Sequence, residues 1–473
     1  MKRFAFFSIP AHGHTNPMIP VAAELVRRGN RVRFYSFQAF EEKIRAAGAE
    51  FVSCDEMMPE LSEQEAAGLK RVSTTEMTVQ DIRLTLAMDS FLDREFEEFQ
   101  PDVVYSDAVC FWGKLNAWKH KVPLVVSTST FAFNRFSSGY MKNSPAEMAD
   151  MIFGLPRIAR ALKSLEPYGY HVRNPLSLVQ NDNSTDTVVY ASRHFQPCAE
   201  SFSDHYTFVG PSLSVPYAPN KAKARKLVYV ALGTVINERP DFYRSCIEAL
   251  QGLDADLLIS CGRATDPASL GPLPEHVQVL PYVDQPEVLS RADAFVTHCG
   301  MNSVSEALYM GTPLLLFPQT GEQEAVARRV TELGAGLRLA GDSPAQIRSG
   351  LQALLETPAY AEAARACSED FRACSGPAGA ADFLESAPHS AEEPKFLMEL
   401  DKASGLFQLV YWLLAAALMV LTGLLIGWRF VWIPGVLAGV LSAPLGKRAQ
   451  QRAYRRLTEK KGLLCLHIRH RRT

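Results

Sequence analysis

The stretch from Tyr282 to Gln323 limits the possible folds more than any other part of this 473-residue chain. An apolar segment, Ala294–Thr297, runs into His298-Cys299-Gly300, and a helix is expected from about Asn302 to Gly311. Thr312-Pro313 then opens a second apolar strand, Leu314–Phe317. Short apolar strands alternating with helices are the pattern of βαβ units with parallel strands. In such a unit the helix N-terminus sits at the carboxyl end of a strand. Its free N–H groups and dipole make an anion site. Gly300 lets the backbone come close, and His298, Asn302 and Ser303 can donate hydrogen bonds to phosphate oxygens. Glu306, one turn on, can accept bonds from a ribose diol, with Glu322 and Gln323 beyond it. The chemistry indicated is a nucleotide diphosphate held by its pyrophosphate.

A second βαβ unit opens the chain. Phe4–Pro10 is a short apolar strand, followed by Ala11-His12-Gly13-His14-Thr15-Asn16-Pro17. An amphipathic helix is expected to about Arg28, ended by Gly29-Asn30, and Arg31–Ser36 is the next strand. Further on, Pro101–Asp107 is a strand ending in a carboxylate. A histidine whose pKa lies near the working pH can take a proton from an alcohol, and a carboxylate on its other ring nitrogen fixes the tautomer. His12 and His14 also have the spacing of a chelate, but no further Cys/His cluster completes a metal site. Asp107 equally has the position of a helix N-cap.

The ordered set from the aromatic Tyr282 and Gln285, through His-Cys-Gly-x-Asn-Ser-x-x-Glu, to Gly-x-Pro and an acid followed by Gln resembles the donor-binding signature of the family one UDP-glycosyltransferases. Pro-Ala-His-Gly-His-x-Asn-Pro at the N-terminus is similar to their macrolide glycosyltransferase branch. The resemblance covers about residues 1 to 385. It implies an α/β GT-B fold, two Rossmann-like domains facing a cleft. It also implies that Tyr282 stacks on uracil beside Gln285, that His298, Asn302 and Ser303 hold the pyrophosphate, and that Glu306 holds the ribose. Thr234, after the strand Leu227–Ala231, is implied at the β-phosphate, and Glu322 and Gln323 at the sugar. His14 is implied as the catalytic base and Asp107 as its partner. Tyr282 stands where Trp is usual, Asp284 where Pro is, and Glu322 where Asp is commoner.

The implied reaction is a single displacement at the anomeric carbon, with inversion and without a metal or other cofactor. The donor is a UDP-hexose, with glucose expected, and the acceptor a hydroxyl of a hydrophobic small molecule such as a macrolide, polyketide or phenolic. A membrane lipid or isoprenoid acceptor is the alternative, and a membrane-tethered ligand-binding protein the non-enzymatic one. Asp254-Ala255-Asp256 reads as a solvated carboxylate pair rather than a metal motif. The nine cysteines are scattered and lack CxxC pairs, which suits a reducing compartment.

Composition divides the chain. Residues 1–211 are expected as the acceptor-binding domain, 212–224 as a linker, 225–386 as the nucleotide-sugar domain and 387–404 as a polar connector. Leu406–Ile426 carries no charge over 21 residues, enough to span a bilayer, and Phe430–Leu445 is a second apolar run. A transmembrane segment is expected over 405–446, as a two-pass hairpin or a single span with a re-entrant piece. The tail, 447–473, holds ten Lys and Arg against the single acid Glu459, in a chain with 49 basic and 51 acidic residues overall. By the positive-inside rule the tail is expected on the cytoplasmic side of the cell membrane, and the catalytic domains, which need cytosolic UDP-sugar, on the same side. No nucleic-acid partner is expected.

Overall fold

The computed structural model describes residues 1–58, 73–141, 144–172, 178, 184–213, 225–233, 236–389, 395–426, 428 and 432–460. Each half of the catalytic region is built on a parallel sheet. The first joins β1 (Arg3–Phe7), β2 (Arg31–Ser36), β3 (Glu50–Ser53), β4 (Val103–Asp107), β5 (Leu124–Thr128), β6 (Asp186–Val189) and β7 (Tyr206–Phe208), in the order β3-β2-β1-β4-β5-β6-β7. β1 is flanked on both sides, pairing Phe4 with Val32 and with Val103. A strand buried on both faces must be apolar throughout, and Phe4, Ala5, Phe6 and Phe7 are all fully buried. Helix Met18–Arg27 covers it with Met18, Val21, Ala22 and Leu25, spaced three and four apart.

The second sheet joins β8 (Lys226–Ala231), β9 (Ala255–Ser260), β10 (Val277–Leu280), β11 (Ala294–Thr297), β12 (Leu314–Leu316) and β13 (Gly336–Arg338), in the order β10-β9-β8-β11-β12-β13. In both sheets the order reverses at one point, between β1 and β4 and between β8 and β11. Loops leaving adjacent strands there diverge to opposite faces and leave a crevice at the strand ends.

The expected second domain, 225–386, ends in a helix that packs elsewhere. Gly376–Ser386 lies against Met18–Arg27, and Ala380, Ala381 and Leu384 join the core of the first sheet. Arg28 pairs with Asp382 at 2.5 Å and Glu385 at 2.8 Å, while Asn30 and Lys2 donate to the side chain and carbonyl of Glu385 at 2.6 Å each. A stripe of alanines lets the two helices approach closely, and the apolar contact outweighs the half-exposed ion pairs. Buried Asp186 accepts from His205 at 2.5 Å and from the His389 backbone at 2.9 Å, fixing the end of this segment. Of the expected linker 212–224, residues 214–224 lie outside the described residues.

The C-terminal residues form a second compact unit. Helix Lys395–Leu425 and helix Trp432–Lys460 make an antiparallel hairpin. Two of the expected segments are helical in part. The connector 387–404 is helical from Lys395, because KFLMELDKAS consists mostly of good helix formers that extend the apolar helix backwards. The basic tail is helical as far as Lys460, continuing the second apolar run without a break. Gly405–Leu425 is long and apolar enough, by length and composition, to cross a membrane, and it is almost wholly exposed. Residues 461–473 lie outside the described residues.

Candidate active site

On the first sheet the loops after β1 and β4 meet at the reversal point. β1 ends at Phe7, and the turn through Pro10 leads into the short helix His12–Thr15. β4 ends on Asp107 itself. His14 Nδ1 lies 2.9 Å from Asp107 Oδ2 and 3.1 Å from Ser129 Oγ. Asp107 is fully buried, and its Oδ1 accepts from the Val109 backbone at 3.0 Å. A carboxylate only accepts, so Nδ1 carries the hydrogen and Nε2 is the nitrogen free to take a proton. Burial lowers the His14 pKa, but the charge and hydrogen bond of Asp107 outweigh it, with Glu322 and Asp81 adding to the pull, and raise it to about 9. His12, in contrast, is lowered by burial and by the charges of Lys43 and Arg263, and it packs edge-on to Phe40.

Two ionisable groups that no motif flags accompany the pair. Asp81 sits on the long helix Thr74–Phe99, where burial and then the negative charge of Asp107 push its pKa well up, opposed by His14. Buried Lys114 donates to the carbonyls of Ala108 at 3.0 Å and Leu178 at 2.6 Å. Burial pulls its pKa to about 8.

The second sheet repeats the geometry with different electrostatics. After β11 the chain turns through His298, Cys299 and Gly300 into helix Met301–Tyr309. The turn holds Cys299 at φ +69°, an uncommon conformation for a residue with a side chain. The His298 ring fills the space between two glycines. A Cβ on Gly233 or on Gly300 would come within 2.5 Å of Nε2, so both positions exclude any side chain unless the ring moves. Burial lowers the His298 pKa to about 4, only partly opposed by the Ala231 backbone. This lowering leaves the ring neutral across the physiological range.

One turn into the same helix, Glu306 and Ser303 share a network with Gln285. Gln285 Nε2 donates to Glu306 Oε2 at 2.6 Å and to Ser303 Oγ at 3.2 Å, and its Oε1 accepts from the Tyr229 hydroxyl at 3.2 Å. Burial raises the Glu306 pKa to about 7, with the Gln285 bond opposing and Asp284 assisting. Asp284 caps the helix Gln285–Arg291 by accepting from the Glu287 backbone at 3.4 Å, a role proline could not fill. Tyr282 stands on the preceding loop and is 79% exposed, leaving its ring face open to stacking. Asn302 is turned toward the other half, donating from Nδ2 to the Gly13 carbonyl at 3.2 Å.

Glu322 and Gln323 lie in the first turn of helix Gly321–Glu332, capped by Thr320. Gln323 Oε1 accepts from the Gln319 backbone at 2.8 Å. Glu322 is close enough for its charge to act on His14 across the cleft. Thr234 lies outside the described residues.

Among known proteins, the family described as erythromycin biosynthesis protein CIII-like, C-terminal domain, matches residues 244–386. A Bacillus subtilis (strain 168) protein named as the uncharacterized UDP-glucosyltransferase YojK is 30% identical over 399 residues, covering 82% of this chain and 98% of that protein. Demethyllactenocin mycarosyltransferase of Streptomyces fradiae is 32% identical over 405 residues, covering 81% and 86%. The chain belongs to the family one glycosyltransferases, on their macrolide glycosyltransferase-like branch. The crystal structure of the calicheamicin glycosyltransferase CalG4 shares 30% identity and a TM-score of 0.65, covering 82% of this chain and 100% of that one. This glycosyltransferase therefore has the GT-B fold and is a sugar-transferring enzyme.

The Asp254/Asp256 pair lies at the opposite end of the second sheet's strands, at the start of β9, where Arg225 bridges both carboxylates at 3.4 and 3.2 Å. Among the described residues no cluster of His, Cys, Asp and Glu could hold a metal ion. Ser129, Asp81, Lys114 and the Asn302–Gly13 bond were not anticipated from sequence. Ser129 follows a β-strand end, the one signal that could have marked it.

Proposed function

We propose that this enzyme transfers a hexose, glucose foremost, from a UDP-sugar to a hydroxyl of a hydrophobic small molecule, with inversion and without a metal. The observation that carries the reading is the His14–Asp107 pair, 2.9 Å apart at the first reversal point and within electrostatic reach of Glu322 on the donor side. In this reading the acceptor hydroxyl gives its proton to His14 Nε2 as its oxygen bonds to the anomeric carbon. Asp107 stabilises the imidazolium that forms. The bond from the anomeric carbon to the diphosphate breaks on the opposite face. The negative charge on the departing UDP is met by N–H groups at the start of helix Met301–Tyr309, with Ser303 and neutral His298 as hydrogen-bonding groups. Glu306 accepts from the ribose diol, Tyr282 stacks on the base, and Glu322 and Gln323 bind sugar hydroxyls.

UDP and glucose are supported by the name of the Bacillus relative, while the mycarosyltransferase keeps a different sugar as the alternative. The apolar hairpin supports a membrane-held enzyme whose catalytic region faces the cytoplasm, and it favours a second reading in which the acceptor is a lipid or isoprenoid alcohol. Measuring UDP release by the full chain, with several nucleotide sugars and a panel of phenolic, polyketide and lipid alcohols, tests both. Acceptor-dependent UDP release is expected. Donor binding without turnover on any acceptor would replace the enzyme by a ligand-binding protein.

A further inference from the structure

The two helices of the hairpin are in a definite register. Gly446 lies beside Gln408, with 3.9 Å from the site of its Cβ to Gln408 Nε2, and Gly435 lies beside the Met419 side chain at 3.4 Å. The Tyr411 hydroxyl donates to the Ala438 carbonyl at 2.7 Å, and Trp428 folds over Gly423 at the far end. The second apolar run therefore ends level with the point where the first begins. From Gln408 to Ile426 the helix advances about 27 Å, close to the roughly 30 Å hydrocarbon thickness of a bilayer. Leu406, Leu414, Leu424 and Leu425 are each more than 60% exposed, and so are Trp428 and Trp432 at the far end. At the level where the apolar surface stops, the second helix continues as KRAQQRAYRRLTEK. Arg448, Arg452, Arg455 and Arg456 fall on one side of it at helical spacing, and all four are exposed. The opposite side carries Gln450, Ala453, Tyr454 and Leu457. None of the four arginines forms a salt bridge with a described residue.

We propose that the hairpin enters and leaves a bilayer by the same face, and that Arg448, Arg452, Arg455 and Arg456 then lie along that face on the phosphates of anionic lipids. The proposal rests on the membrane reading above and adds the lipid class and the path of the chain. Phosphate is the complement of a row of guanidinium groups, and the row begins where a membrane interface must lie if the apolar surface is covered. A second copy or a protein partner would match the apolar surface, but would not explain why the charge begins level with Gln408.

Trypsin cleavage of the full chain, reconstituted in vesicles and active on externally added donor, tests this. In phosphatidylcholine vesicles, external trypsin should cut within 448–456. With phosphatidylglycerol added, cutting should slow on the order of 10-fold, and raised salt should abolish the difference. Arg452→Glu with Arg455→Glu should be cut at Arg448 and Arg456 equally fast in both lipids. Equal cutting of the unaltered chain in both lipids would overturn the lipid assignment alone. Cutting only after the vesicles are broken would overturn the same-face path. A full chain that floats with neither kind of vesicle would overturn the membrane reading itself.

Discussion

The two halves of this glycosyltransferase place a histidine at the same topological point and give it opposite character. His14 and His298 both follow a central parallel strand where the strand order reverses. Beside His14 the neighbouring strand ends in buried Asp107, and the pKa rises to about 9. Beside His298 the neighbouring strand β8 ends at Ala231 and its loop brings Gly233 against the ring, no carboxylate among the described residues is set against it, and the pKa falls to about 4. A carboxylate at the end of the adjacent strand thus decides whether a half-buried imidazole holds its proton or stays neutral. The first suits an acceptor alcohol that must lose a proton, and the second an anion already fully charged.

Removing His14 should break the comparison most completely. His14→Ala is expected to lower kcat by about 10³-fold or more, while UDP affinity by calorimetry changes little. A variant retaining a tenth of the wild-type turnover would refute the base assignment. Asp107→Asn should cost less, because the amide can still hydrogen-bond the ring. It should also reveal the source of the pKa. A base must be neutral to act, and His14 is protonated below about 9. Wild-type kcat/KM should therefore climb about tenfold per pH unit until it levels near pH 9. In Asp107→Asn the raising influence is gone and burial remains, so the levelling point should move to lower pH. An unmoved profile would mean another group controls it.

On the donor side the effects are smaller. Glu306→Ala should weaken UDP and UDP-sugar alike by ~1.5–3 kcal/mol. A ribose hydroxyl donates to the ionised carboxylate, so UDP affinity should fall as the pH drops through about 7. Glu306→Gln should remove that dependence, and a dependence that persists would assign it elsewhere. Gln323→Ala should leave UDP binding unchanged and weaken only the sugar nucleotide. Equal losses would contradict a sugar contact. Chelators should have no effect on rate, and inhibition by EDTA that a divalent ion restores would bring back a metal-assisted departure.

Strands were legible where apolar runs were bounded by turn residues. Arg31–Ser36 and Ala294–Thr297 occupy the positions that sequence indicates. Each functional loop follows such a strand, and parallel topology forces those loops to one end of the sheet. Helix Gly376–Ser386 was not assignable, since an alanine-rich amphipathic face reads the same whichever sheet it covers. Asp81 was equally opaque. It is one of seven acids in a 26-residue helix, and nothing local shows that residue 81 faces a loop after residue 107. The side chain of Asn302 suits a phosphate, but its bond to Gly13 depends on the closeness of two domains that share no sequence pattern.

The return of Gly376–Ser386 to the first domain has a mechanical consequence. The chain passes between the domains twice, once between Leu213 and Arg225 and again at 373–375, where the Gly376 N–H bonds the Val209 carbonyl at 2.8 Å. Two tethers restrict how two bodies can part more than one does, so any widening of the cleft is limited to motions that both crossings allow. In the proposed reaction the donor and the nucleotide product share the cleft, so the next donor cannot load until the product has cleared it.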